Sequence, residues 1–223
     1  MQRRRFLLSA LAVALMPVRA ARAQSGDTAA GLREALRLGT ERVVGRIGRT
    51  DGYLKDPEIR IPLPPTLERA RQALSLVGQS GLADDLEIRL NRAAEAAAPQ
   101  AKDIFWKAIT DMTLDDAQRI LRGPNDAATR YFQGRMSKPL ATAMQPIVET
   151  ELAQAGAIQS YDAFIGRYRQ LPFVPDAKAD LTRYVLEKGM DGIFHYLAKE
   201  EAAIRANPAA RTTDLLRRVF GGI

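Results

Sequence analysis

The sequence predicts an all-α fold, a single-domain bundle of about seven to nine helices crossed by one extended, proline-rich arm. Three observations carry this reading. Apolar residues recur every three to four positions through most of the chain, which is the period of an amphipathic helix. Strict alternation, the mark of a half-buried strand, occurs only at Ile59, Ile61 and Leu63, in a run that also holds Pro57, Pro62, Pro64 and Pro65. No fixed-period repeat and no low-complexity linker divides the chain, so one core is expected.

The chain begins "MQRRRFLLSALAVALMPVRAARA": a basic start, an apolar stretch over 6–16, and a small-residue exit at Ala21 and Ala23. This is the pattern of a secretory signal peptide over 1–23, with cleavage expected before Gln24. Its apolar run is about half of the roughly twenty residues a membrane-crossing helix needs, so no transmembrane anchor is expected once the signal is removed. Arg3 and Arg4, followed by Arg5, Phe6 and Leu7, also fit a twin-arginine export signal, and an ordinary secretion signal fits equally. Either route leads to the periplasm.

Five of the 33 basic residues lie in that segment and no acidic residue does, so the mature 24–223 would carry 28 basic against 26 acidic side chains. The formal charge of +7 falls to +2, which leaves no general basic excess for a nucleic-acid partner. With no cysteine in the chain, stability in an oxidising compartment must come from packing.

The helices follow in order. A first runs over 26–47 on Leu32, Leu36, Val43, Val44 and Ile47, weakened by Gly31, Gly39 and Gly45. The segment 48–64 is the arm, where proline removes backbone donors and Ile59, Ile61 and Leu63 lay one apolar edge along the body. A helix over 65–77 ends before Gly78. The long pattern over 82–112 is alanine-rich, so a neighbour can approach closely, and Pro99 kinks or splits it. Short helices at 114–122 and 126–135 precede one at 139–155, then "IQSYDAFIGRYRQL", a long helix over 179–206, and a terminal amphipathic turn.

Several blocks, "GLREALRLGTERVVGRIGRTDGYLKDPEIRIPLP", "DDLEIRLNRAAEAAAPQAKDIF", "GPNDAATRYF", "LPFVPDAKADLTRYV" and "NPAARTTDLLRRVFG", resemble the bacterial exported family known as domain of unknown function 4197. The resemblance spans 31–221 and implies an exported, helical, single-domain protein. It implies no activity.

One histidine and no cysteine exclude multi-histidine and thiolate metal sites and cysteine nucleophiles. No phosphate-cradling glycine loop and no G-x-S-x-G elbow occurs, and no cofactor is implied. Glu187, Asp191, His195 and Lys199 recur every fourth residue along the last long helix and form one stripe opposite its apolar side. Asp191 can orient His195 as a general base, or the three can offer metal ligands if a second helix adds more. The same spacing also describes a solvated face of i,i+4 charge pairs, so no metal site is assigned.

"TLDDAQRILRGPNDAATRYF" has neither the spacing nor the closing Glu of a calcium loop. It reads as a helix capped by Thr113, stopped by Gly123 and Pro124, and followed by a helix capped by Asn125 or Asp126. Asp126 with Arg122 or Arg130 is the remaining candidate for a polar site. Phe105 and Trp106, with Tyr161, Phe164, Tyr168 and Phe173, either line an apolar ligand cavity or form plain core. The basic terminal "RTTDLLRRVFGGI" can dock on a membrane surface, on a partner, or back on its own body.

The expectation is therefore a non-enzymatic periplasmic protein that binds a small apolar ligand, an envelope component or a second copy of itself. The alternatives are a carboxylate-dependent envelope hydrolase or lyase, and a protein peripheral to the membrane through its C-terminal helix.

Overall fold

A computed structural model describes residues 18–76, 80–154, 156–166 and 177–206. Among these there are eight α-helices and no strand, in agreement with the all-α expectation. They are α1 (Val18–Ile47), α2 (Pro65–Ser75), α3 (Gly81–Ala97), α4 (Ala101–Thr110), α5 (Leu114–Arg122), α6 (Ala127–Gln154), α7 (Ala157–Gly166) and α8 (Ala177–Ala206), with a 3-10 turn at Ala98–Gln100.

α8 packs along α6, and α3 lies against α6, α7 and α8. α1 crosses α4, α5 and α8. The alanine-rich face of α3 allows this close approach: Ala83, Ala93, Ala94 and Ala97 are all fully buried. At the junction of α4, α6 and α8, Phe105 meets Phe132 and Phe194 edge-on, with centroids 5.8 and 5.9 Å apart.

The proline at 99 does split the long pattern, through the 3-10 turn, as its missing donor requires. Two boundaries differ from expectation. α1 starts at Val18 rather than 26, since the Ala-, Arg- and Gln-rich 18–24 favours helix. The two helices expected at 126–135 and 139–155 are one helix, α6, which runs through Pro139 and Pro146. Its buried stripe of Phe132, Met136, Leu140, Met144, Val148 and Leu152 recurs every four residues, and both prolines lie on the exposed side. Tertiary packing holds the helix where local chemistry would break it.

The arm lies flat on the bundle. Ile59, Ile61 and Leu63 are buried, as their alternation predicts. Phe164's side chain, Tyr168, Phe173 and the terminal amphipathic segment lie outside the described residues, as does most of the segment read as a signal.

Candidate binding cleft

The arm leaves α1 through "RTDGY". Asp51 has a positive φ of 68°, a conformation that Asp tolerates better than most residues. At Gly52 any Cβ would lie 2.3 Å from the Ile47 carbonyl oxygen, so the turn requires glycine. Tyr53 is thereby driven into the core. Its ring is fully buried, and its hydroxyl donates to the Gly189 carbonyl on α8 at 2.6 Å.

One face of α3 holds the arm by its backbone. Glu95 Oε1 accepts from the amides of Tyr53 at 3.0 Å and Leu54 at 3.1 Å. Asn91 pairs with both sides of one residue, accepting from the Ile61 amide at 2.9 Å and donating to its carbonyl at 2.8 Å. Glu87 receives Arg60 at 2.7 Å and Arg71 at 3.3 Å. All three α3 side chains are buried. Without them the arm's amides would be desolvated and unpaired, at a cost of about 1–3 kcal/mol each. The sequence signal for this face was weak: Glu87, Asn91 and Glu95 share α3 with the partly or fully exposed Asp84, Asp85, Arg89 and Arg92, and only their burial marks them as groups that must be bonded.

Between this arm, the end of α1 and α8 opens a polar cleft of about 650 Å³. That volume is in the range of small-molecule sites. Its lining includes Arg46, Arg49, Asp51, Lys55, Asp56, Glu58 and Tyr196. Tyr196 donates to Asp56 Oδ2 at 2.6 Å, and Arg46 Nη2 donates to both at 3.0 Å while its guanidinium lies 4.1 Å over the Tyr196 ring. Asp51 is gripped by Lys55 and by Arg92, each at 2.7 Å. Glu58 takes Lys199 at 2.6 Å and the His195 Nε2 at 2.8 Å.

These contacts set the charge states. Hydrogen bonds from Lys199 and His195 hold the Glu58 carboxyl at a pKa of about 2. Lys55 and Arg92 hold Asp51 below the usual carboxylate range. Burial pushes Asp56 up, but Tyr196, the Glu58 amide and Arg46 outweigh it and leave it lowered. Burial and Asp56 together push the Tyr196 hydroxyl well up. The cleft's carboxylates are fixed anions and its phenol a fixed neutral donor.

The residues singled out in the sequence scatter. Of the α8 stripe, Glu187 is exposed, and Asp191 takes Lys188 of its own helix at 3.5 Å and is close enough to Tyr53 for its charge to act on the phenol. His195 and Lys199 do reach beyond the helix, to Glu58 on the arm. His195 lies at the edge of the cleft and is not part of its lining. No group of three His, Cys, Asp or Glu among the described residues is arranged to hold a metal ion. Trp106 is half-buried beneath Lys102, whose Nζ is 4.3 Å from the ring, and it lines neither the polar cleft nor the apolar cavity described below. Tyr161 is buried.

The "GPND" region is a turn clamped from afar. Thr113 and Asp116 form a reciprocal capping box, with Tyr131 also donating to Asp116 at 3.1 Å. Asn125 and Asp126 do not provide the expected cap of α6. Instead Glu201 on α8 accepts from the Ala128 and Thr129 amides at 2.9 and 3.0 Å, where the positive end of α6 favours a carboxylate. Arg205, one turn on, donates to the Ile120 carbonyl at 2.7 Å at the end of α5 and pairs with Glu201. Asp126 is occupied by Arg130 at 2.8 Å. Nearby Arg119, Arg130, Arg135 and Tyr131 line a second, shallow groove of about 460 Å³.

An apolar cavity between α1, α6 and α8, lined by Leu32, Leu36, Phe132, Leu197 and Ile204, has a volume of about 30 Å³. It is a narrow pocket with an almost wholly apolar wall, small beside the polar cleft. No helix among the described residues is long and apolar enough to cross a membrane.

Residues 22–221 match the model of a family described as a protein of unknown function, DUF4197. The chain belongs to that family. No curated protein and no solved structure matches it.

Proposed function

We propose that this member of the DUF4197 family is exported to the periplasm and acts there as a non-enzymatic binding protein, with the cleft between the arm and α8 as its recognition surface. The observation that carries the reading is the combination of a roomy, preformed cleft with charges that are already pinned. A general acid or base works best with a pKa near the operating pH. Glu58 at about 2, with Asp51 and Asp56 also lowered, is held far from that condition. Pinned charges and a rigid backbone instead suit recognition, because little ordering remains for the ligand to drive.

Export rests on the basic, apolar and small-residue pattern of 1–23. The hydrolase or lyase alternative retains one feature, the contact between His195 and Glu58, but both side chains are more than 40 % exposed and Glu58 is also held by Lys199. The apolar-ligand version draws on the small apolar pocket between α1, α6 and α8, and Tyr168 and Phe173, also named for it, lie outside the described residues. Native mass spectrometry of the protein purified from periplasmic extract tests the reading: a bound small molecule or a defined complex supports it. A ligand-free monomer that also fails to retain any component of the extract contradicts it.

A further inference from the structure

The cleft's hydrogen-bonding capacity is lopsided. Its three acidic residues offer six carboxylate oxygens, and each one already accepts a bond. Asp51 Oδ1 takes Arg92 and its Oδ2 takes Lys55. Asp56 Oδ1 takes the Glu58 amide, and its Oδ2 takes Arg46 and Tyr196. Glu58 Oε1 takes Lys199, and its Oε2 takes Lys199 and His195.

The donors are not used up. A guanidinium carries five N–H donors. Arg46 makes both of its bonds through Nη2, leaving Nη1 and Nε uncommitted on a half-exposed side chain. Arg49 lines the cleft with no side-chain partner among the described residues. Lys55 pairs only with Asp51 and is 75 % exposed. Each carboxylate oxygen has two acceptor positions. One is filled on four of the oxygens, and both on Asp56 Oδ2 and Glu58 Oε2. A ligand rich in donors thus finds few positions left, whereas a ligand rich in acceptors finds three cations with most of their donors to spare.

Resting on the binding reading above, we propose that the cleft takes an oxyanion ligand, a carboxylate or a phosphate, gripped by Arg46, Arg49 and Lys55 beside the Tyr196 ring. Two arginines suit this task because the planar fork matches a carboxylate or phosphate edge with two parallel bonds. The negative end of α1 opposes an anion there and the lining's three cations only match its three carboxylates, so the grip rests on directed, unused donors rather than on net charge. Arg49 is the discriminating residue. Its carbonyl accepts from the Gly52 amide, a bond that alanine keeps, and among the described residues its side chain holds no part of the arm, so truncating it tests recognition without disturbing the fold.

The experiment is isothermal titration of the mature chain, 24–223, with inorganic phosphate, citrate, spermidine and glucose at low salt, repeated on Arg49→Ala and Arg130→Ala. Phosphate or citrate should bind saturably, weaken as salt is raised, and bind Arg49→Ala at least about tenfold more weakly. Arg130→Ala should bind as the parent does, and all three proteins should melt at the same temperature. Binding of citrate alone assigns a carboxylate ligand, and of phosphate alone a phosphate.

Saturable binding of spermidine, no saturable binding of either anion, equal affinity in Arg49→Ala, or loss only in Arg130→Ala overturns the proposal. Failure here with a neutral or cationic molecule found by native mass spectrometry overturns the oxyanion assignment alone. Failure together with a ligand-free monomer overturns the binding reading as well.

Discussion

Tyr53 fills the space above Gly192: a Cβ built on that glycine would lie 2.6 Å from Tyr53 Cε1. The ring reaches this seat only because α8 presents no side chain there, and the Gly189 carbonyl one turn earlier accepts its hydroxyl. The arm, and with it the cleft, depends on this fit. Gly192→Ala should therefore destabilise the protein by about 1–3 kcal/mol, the usual cost of forcing an extra methyl into a packed core. Urea unfolding checks the size, and hydrogen exchange at 53–61 checks the place. A neutral substitution would mean that the ring has another seat.

Asn91 serves the Ile61 amide and carbonyl at once. Asn91→Leu keeps the volume and removes both partners, so each orphaned buried group should cost about 1–3 kcal/mol. The Ile61 amide should exchange faster by at least tenfold while amides in α6 keep their protection. Uniform loss of protection would place the fault in the core instead.

Glu201 and Arg205 tie the α5–α6 turn to α8, with both side chains 9 % exposed. Glu201→Ala leaves two α6 amides uncapped and removes the Glu201 carboxylate from Arg205. The expected loss is near the low end of about 3–5 kcal/mol for breaking a buried pair, since Arg205 keeps the Ile120 and Leu121 carbonyls. A measured loss below about 1 kcal/mol would show that water replaces Glu201 without penalty.

Acid should loosen the arm. Glu58 has its pKa lowered from 4.5 to about 2 by Lys199 and His195. A lowered carboxylate stabilises the fold fully above the unfolded value and loses that contribution as pH falls through the folded one. Arm protection should thus hold down to about pH 4.5 and fade towards pH 2, while Glu58→Gln should make the fall shallower, leaving the part that the lowered Asp51 and Asp56 contribute. Hydrogen exchange at 54–60 between pH 5 and 2 reads this out. An arm whose protection rises as the pH falls from about 4.5 to about 2 would carry the opposite sign and contradict the contact.

Much of the fold was legible because helices are written locally. The 3.6-residue period, the Thr113 box and the alternating Ile59, Ile61 and Leu63 each need only neighbours in sequence. What was not legible depends on distance. Glu58 meets His195 across 137 positions, and Glu201 caps α6 from 73 positions away. Those separations leave no trace in spacing, so His195 reads as part of a solvated ladder and Asp126 as a cap. Pro139 and Pro146 mislead for a related reason: the buried stripe of α6 overrides a local rule that is otherwise sound. Glu87, Asn91 and Glu95 stood in plain view, yet a polar residue every fourth position looks like a water-facing edge, and Asp84, Asp85, Arg89 and Arg92 on the same helix give nothing in spacing to tell the buried polar row from the solvated one.

Amide-resolved NMR of the mature chain, titrated with citrate and with phosphate, tests the binding cleft most directly. The account predicts saturable shifts concentrated in 46–58 and at Tyr196, with the Arg49 signals among the largest. Shifts confined to the groove of Arg119, Arg130 and Arg135, or no saturable shift with either anion, would contradict it.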